Sequence, residues 1–331
     1  MIARITRILI LLQLAAAAGI FMLGVKVWHI ENLWLALILS IGAVFVFRVL
    51  ITANSFFLAW RYRSETPPNH RIGWRQALRL FVEEFNATML ATSWTMPFRS
   101  FSRRTGQDSN DLPVLLIHGW GCNSGYWHPL SKKLTQANIS HHAIDLEPVF
   151  AAIESYVPMV QRAVAALCRE TGHDKIIIVA HSMGGLVTRA YLQVHGGARV
   201  ARVITLGTPH RGTGLANFGI GLNCRQMTWT GSAIHGRPSE WLIRLEESED
   251  QAMRPLFASL NSHHDNIVAP QTSACLAGAN NVEFRGIGHV ALALNPLVQA
   301  RVLEEIRIAS QQAPNLPATD PAPAPESRRR A

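Results

Sequence analysis

Ser182 stands where a run of β-branched residues gives way to a helical pattern, in the stretch KIIIVAHSMGGLVTRAYL (175–192). Its immediate setting is Ala180-His181-Ser182-Met183-Gly184. A serine at a strand-to-helix turn, with small residues two before and two after, has the pattern of a nucleophile elbow. The tight turn strains the serine backbone and lifts its side chain clear of the sheet. Strand and helix then approach too closely for large flanking side chains, and alanine in place of the first glycine still meets that demand. The helix start behind Ser182 stabilises developing negative charge. The alternative is a tight turn with an idle serine.

A nucleophilic serine needs a base, and the base needs an orienting carboxylate. His289 follows the strand-like VEFRGIG and precedes the last helical pattern. Asp265 lies in a polar loop after an apolar strand, in FASLNSHHDNIVAPQTS. Among the other acids, Asp145 precedes the serine, and Glu247 and Asp250 sit in the run EESED, which reads as a solvated face. His263 and His264 adjoin Asp265, but no third ligand is apparent, so no metal is expected. An oxyanion site would use the backbone N–H of Met183 and that of Trp120, which follows the strand-like PVLLIHG. Trp127, His210, Met227 and Trp229 are candidates to line a substrate pocket, with plain core as the alternative for the tryptophan at 127.

Strand and helix patterns alternate around these residues. PVLLIHG, HHAIDL, KIIIVAH, VARVITLGTP and VEFRGIG read as strands. VPMVQRAVAALCRETG, GGLVTRAYLQVHGG and NPLVQARVLEEIRIAS read as helices, the first stopped by Gly172. Such alternation predicts an α/β domain over residues 111–310 with a mostly parallel, doubly wound sheet. Residues 212–245 show no clear strand and many scattered apolar side chains, and are expected to form a lid or a fixed pocket wall.

Ahead of that domain, residues 8–25 are uncharged and apolar, and a second apolar run covers 33–47, extending to 51 if Arg48 snorkels. Each matches the roughly 17–25 residues of a membrane-spanning helix. KVWHIEN between them is a turn, so residues 1–60 are expected to form a transmembrane hairpin. Arg4 and Arg7 before it, and Arg48, Arg61, Arg63, Arg71 and Arg75 at its far side, put both ends in the cytoplasm by the positive-inside rule. The alternatives are a cleaved signal peptide at residues 1–18 and two core helices of a soluble protein, against which stands the lack of a polar face in either run. Within the linker at 61–110, Trp74, Leu78, Phe81, Phe85 and Met89 recur at helical spacing. That amphipathic helix lies either at the lipid headgroups or against the domain. Residues 311–331, rich in proline and alanine, are expected to be disordered.

The 331 residues carry a formal net charge of +9 and are 48% apolar, enough for a sizeable core. Such a charge fits an anionic partner. No interleaving of aromatic and basic residues suggests nucleic acid, and the apolar hairpin points to a bilayer. Cys122, Cys168, Cys224 and Cys275 form no metal-type pair and are expected as free thiols.

HGWGCNSGYW, AHSMGG, LGTPHRGT, DNIVAP and GIGHVALALNP together resemble the blocks, in order, of the α/β-hydrolase superfamily, in particular bacterial triacylglycerol lipases and esterases. The resemblance covers roughly residues 111–310. It implies an α/β-hydrolase fold, Ser182 as nucleophile, Asp265 and His289 as its partners in the chain order Ser, acid, His, and no cofactor. It implies an ester or lipid substrate, while the hairpin, not the resemblance, points to the plasma (inner) membrane. An acyltransferase with the same triad and a non-catalytic membrane scaffold are the other readings. The hairpin departs from the secreted lipases, which start with a cleaved signal peptide.

Overall fold

The computed structural model describes residues 1–106 and 111–312. The tail expected to be disordered therefore lies outside the described residues, except Gln311 and Gln312, which continue the last helix. In chain order the helices are α1 (Ile2–Lys26), α2 (Leu33–Tyr62), α3 (Trp74–Leu90), α4 (Met96–Phe98), α5 (His128–Gln136), α6 (Val157–Thr171), α7 (Met183–His195), α8 (Leu222–Gln226), α9 (Glu240–Ser248) and α10 (Pro296–Gln312). The strands are β1 (Arg103–Arg104), β2 (Val114–Ile117), β3 (His141–Ile144), β4 (Ile176–His181), β5 (Val200–Leu206), β6 (Trp229–Thr230), β7 (Arg237–Pro238), β8 (Phe257–Ser262) and β9 (Asn280–Phe284).

Seven strands form one sheet in the order β1-β3-β2-β4-β5-β8-β9. All neighbours are parallel except β1 against β3. The central strands read as continuous apolar runs because both faces are covered. Val114, Leu116, Ile177 and Val179 pack with Leu130, Leu134, Val302 and Ile306 on one face. Leu115, Ile117, Ile176 and Ile178 pack with Val160, Val164, Leu186 and Val187 on the other. Gly172 ends α6 in the left-handed region at φ 72°, as its position in the sequence predicts.

Two features of the sheet region differ from the sequence reading. Arg103 and Arg104, placed in the linker, add an antiparallel edge strand. Residues 212–245, expected to lack strands, contain the small β6–β7 ribbon as well as α8 and α9.

The N-terminal part is a helical hairpin. Asn32 starts α2 by accepting the N–H groups of Trp34 (3.0 Å) and Leu35 (3.2 Å) at its side-chain oxygen. Helices α1 and α2 are each long and apolar enough to cross a membrane. Helix α3 lies between hairpin and domain. Phe81 and Phe85 meet Phe56 and Phe45 of α2 at centroid distances of 5.8 and 5.4 Å. Leu80, Glu84 and Ala87 are buried, whereas Trp74 and Leu78, the first two members of the apolar stripe, are exposed. The helix thus packs against the domain, and two of the five members of its apolar stripe meet α2.

Candidate active site

The strand β4 runs straight into α7 through Ser182, whose backbone sits at φ 54°, ψ −126°. Its N–H donates to Leu206 O at 2.9 Å, which ties the turn to β5. The demand for small neighbours is steric. A Cβ on Gly184 would lie 2.3 Å from the backbone oxygen of Ile117, so β2 and α7 approach too closely for any side chain there. A Cβ on Gly119 would lie 2.7 Å from Ser182 Cβ, so the loop after β2 rests directly on the serine.

Asp265 and His289 converge from loops after β8 and β9. His289 Nδ1 and Asp265 Oδ2 are 2.8 Å apart, and both side chains are buried. The other oxygen of Asp265 accepts the N–H groups of Ile267 (2.8 Å) and Val268 (2.7 Å), which fixes the carboxylate. The N–H of His289 donates to Asn266 Oδ1 at 2.9 Å, joining the two loops. Burial alone would lower the His289 pKa, but the Asp265 charge and hydrogen bond, with a smaller contribution from Glu84, raise it above the usual imidazole value. Ser182 Oγ makes no hydrogen bond to His289 among the described residues. In ligand-free sites such contacts are often long and tighten when substrate binds.

The N–H groups of Trp120 and Met183 donate to no protein acceptor among the described residues. Trp120 is exposed and lies 6.4 Å from the Phe150 ring, and Met183 opens α7.

The four residues expected to line the pocket are all buried. Trp127 is fully buried, edge-on to Tyr126 and His181. His210 is buried with Nε2 3.3 Å from Thr205 Oγ1 and from Ser259 Oγ, in the packing of the sheet. Met227 is buried, and so is Trp229, whose indole N–H donates to Ser232 O at 3.0 Å. Of the four, Trp127 Nε1 and His210 Nδ1 find no hydrogen-bond partner among the described residues. The acidic run is also not uniformly solvated. Glu249 within it is gripped by Arg189 and Arg254, each at 2.6 Å. His263, which had no apparent ligand partners, lies with His70 and Glu283 so that their ligand-type atoms fall within 4.8 Å of one another. His263 and Glu283 are joined by a 2.8 Å hydrogen bond, and the His70 ring lies 4.3 Å from that of His263.

Two residues beside the site escaped the sequence reading. His181 stacks 4.5 Å from the His289 ring, and its Nε2 lies 3.1 Å from His289 O. Burial, with the neighbouring His289 charge, pushes its pKa well below the usual value, so it stays neutral. Its place just before the serine was the available signal. Glu84 of α3 is 1% exposed, and its two oxygens accept the N–H groups of Val290 and Ala291, each at 2.9 Å. Burial raises its pKa, against those two hydrogen bonds. A charged residue in an amphipathic helix gave no signal of this.

A serine at positive φ over a mainly parallel sheet stands on the same edge as a buried His–Asp pair from the loops after the last strands. The model of the alpha/beta hydrolase family matches residues 114–281, and the chain belongs to that family. It is 33% identical over 119 residues to a triacylglycerol lipase of Pseudarthrobacter phenanthrenivorans, covering 32% of this chain and 35% of the relative. A pimeloyl-[acyl-carrier protein] methyl ester esterase of Yersinia enterocolitica is 31% identical over 96 residues, 29% of this chain and 36% of its own length. The chain therefore matches about a third of the length of these curated relatives. Its fold is similar to that of the mature Bacillus licheniformis lipase BlEst2, with a TM-score of 0.54 at 17% identity over 62% of this chain and 97% of that one.

Proposed function

We propose that the chain is a membrane-anchored serine hydrolase that cleaves carboxylic esters carrying lipid acyl chains. The observation that carries this reading is the buried 2.8 Å hydrogen bond between His289 and Asp265, set beside a serine held at positive φ. Ser182 Oγ attacks the ester carbonyl as His289 Nε2 takes its proton. Asp265 holds Nδ1 protonated and stabilises the imidazolium. The free N–H groups of Met183 and Trp120 receive the oxyanion. His289 then returns the proton to the leaving alcohol. Water, activated by the same imidazole, splits the acyl-serine ester and releases the acid.

The relatives named as a lipase and a methyl ester esterase support an ester as substrate. The two apolar helices support anchoring, and the arginines flanking them favour a catalytic domain on the cytoplasmic face of the plasma membrane. Residues 212–245 serve as the cap, with Phe218, Ile220 and Ile234 exposed on its surface.

The test is the purified full chain against a series of esters of increasing acyl length, alone and in micelles. Ser182→Ala is expected to lower kcat by roughly four powers of ten or more while the circular dichroism is kept. A fluorophosphonate probe should label Ser182. Undiminished hydrolysis by the Ala variant would refute the assignment.

A further inference from the structure

The hairpin and α4 meet the domain along one edge. Asn123, beyond β2, donates to Met96 O at 2.9 Å. Asn266 and Gln271, beyond β8, hydrogen-bond to Ser55 (2.8 Å) and to the N–H of Ser64 (3.1 Å). The Tyr62 ring closes over Gly214, beyond β5. All four positions follow the carboxyl ends of strands, the edge at which Ser182, Asp265 and His289 stand. The membrane-type helices therefore cover the catalytic edge.

Between α1, α2 and α3 lies a cavity of about 750 Å³ walled by side chains such as Leu9, Val44, Phe47 and Phe85. Its inner end reaches Gly121. Gly121 is two residues beyond Gly119, so at most about 7.6 Å separates their Cα atoms, and Gly119 rests against the Ser182 side chain. The cavity thus runs from the hairpin to the loop at the nucleophile. Along α2 it covers residues 43–52, roughly 14 Å at 1.5 Å per residue, which is about half of a ~30 Å hydrocarbon core. Spread over that length, the volume gives a cross-section on the order of 50 Å², too narrow for a helix 10–12 Å across and wide enough for a hydrocarbon chain.

Arg48 stands midway along this stretch of α2 and lines the cavity. Its guanidinium donates to Ser93 Oγ (2.7 Å) and Thr92 Oγ1 (2.6 Å), and no carboxylate pairs with it among the described residues. A cation with no carboxylate partner among the described residues, in a cavity otherwise walled mainly by apolar side chains, complements an anionic lipid headgroup.

We propose that this cavity is the channel through which the acyl chain of a membrane lipid ester reaches Ser182 directly from the bilayer. The proposal rests on the serine-hydrolase reading. The hairpin then acts as substrate-binding wall as well as anchor, and selects esters with a long chain.

The test is a long-chain alkylphosphonate with a p-nitrophenyl leaving group and a diazirine at the tail, applied to the full chain in vesicles. Ser182 Oγ displaces p-nitrophenolate from phosphorus, which tethers the probe, and light then cross-links the tail. Adducts on cavity residues of α1 or α2 are expected. Adducts confined to residues 212–245 overturn the channel while leaving the hydrolase intact. Failure to label Ser182 overturns the hydrolase reading and the channel with it. Independently, Ala43→Trp narrows the cavity and should lower the ratio of long-chain to short-chain turnover about tenfold or more. Ile38→Trp, on the 65% exposed outer side of α2, should leave the ratio unchanged. An unchanged ratio in the folded Ala43→Trp protein overturns the proposal.

Discussion

Glu84 lies directly beneath the backbone that follows His289, one oxygen on the N–H of Val290 and the other on that of Ala291, both at 2.9 Å. Helix α3, outside the matched family region, thereby holds the turn that carries the proposed base. A Cβ on Gly288 would lie 2.4 Å from this carboxylate, so the loop has closed onto it. Glutamine can accept only one of the two N–H groups and sets an amide N–H against the other. Glu84→Gln is expected to cost about 1–3 kcal/mol of stability. It should lower kcat with KM little changed, because the histidine is displaced while the substrate wall is not. Thermal melts and steady-state kinetics check both. Wild-type kcat in this variant would show that Glu84 is structural padding alone.

The raised pKa of His289 has opposite consequences for stability and for activity. Its protonated form is favoured by folding, so that contribution is full at acid pH and fades as pH rises through the folded pKa. The neutral ring is the proposed base, so kcat/KM should climb with pH through a midpoint above 6.5. Asp265→Asn removes the main cause of the raised value and leaves burial to lower it. The His289 titration, read by NMR of labelled histidine, should move to lower pH, with kcat down by about four powers of ten. A titration that stays in place contradicts this account of the pair.

Two glycines separate close approach from open space. Gly184→Ala puts a Cβ 2.3 Å from Ile117 O and must push α7 from β2, at a cost of about 1–3 kcal/mol and with the serine displaced. Gly42, within α2, has nothing within 4 Å of an added Cβ. Gly42→Ala should be neutral or stabilising by about 0.5–1 kcal/mol. Paired melting curves and ester assays distinguish them.

Glu249 holds two buried guanidinium groups, those of Arg189 and Arg254. Arg189 also donates to His210 O at 2.7 Å, which steadies the loop after β5. Glu249→Gln leaves two cations short of a counter-charge in a buried setting. A loss of about 3–5 kcal/mol is expected in chemical denaturation. A loss of a few tenths would mean that the cluster is solvated in solution.

Much of the domain was legible because its signals are local. A strand buried on both faces has to be apolar throughout, and Ile176 to Ala180 could hardly read otherwise. A serine between Ala180 and Gly184 announces a turn that only small residues permit. Asn32 and Gly172 mark helix ends through their own side-chain and backbone chemistry. The two-residue strand at Arg103 was hidden, since so short a segment has no period and forms only because β3 offers an open edge.

The sequence by itself determined the alternation of strands and helices, the turn at Ser182, the apolar hairpin and the choice of Asp265 and His289 as candidates. Each of these is written in neighbouring residues or in chain order. Only the tertiary structure decided that Trp127 and His210 are packed away, that Glu249 joins two arginines, and that Glu84 supports the turn after His289. It alone brought the hairpin onto the edge that carries Ser182, Asp265 and His289. Those outcomes depend on which distant surfaces meet, and burial or a hydrogen bond across 206 positions of chain leaves no trace in the local pattern.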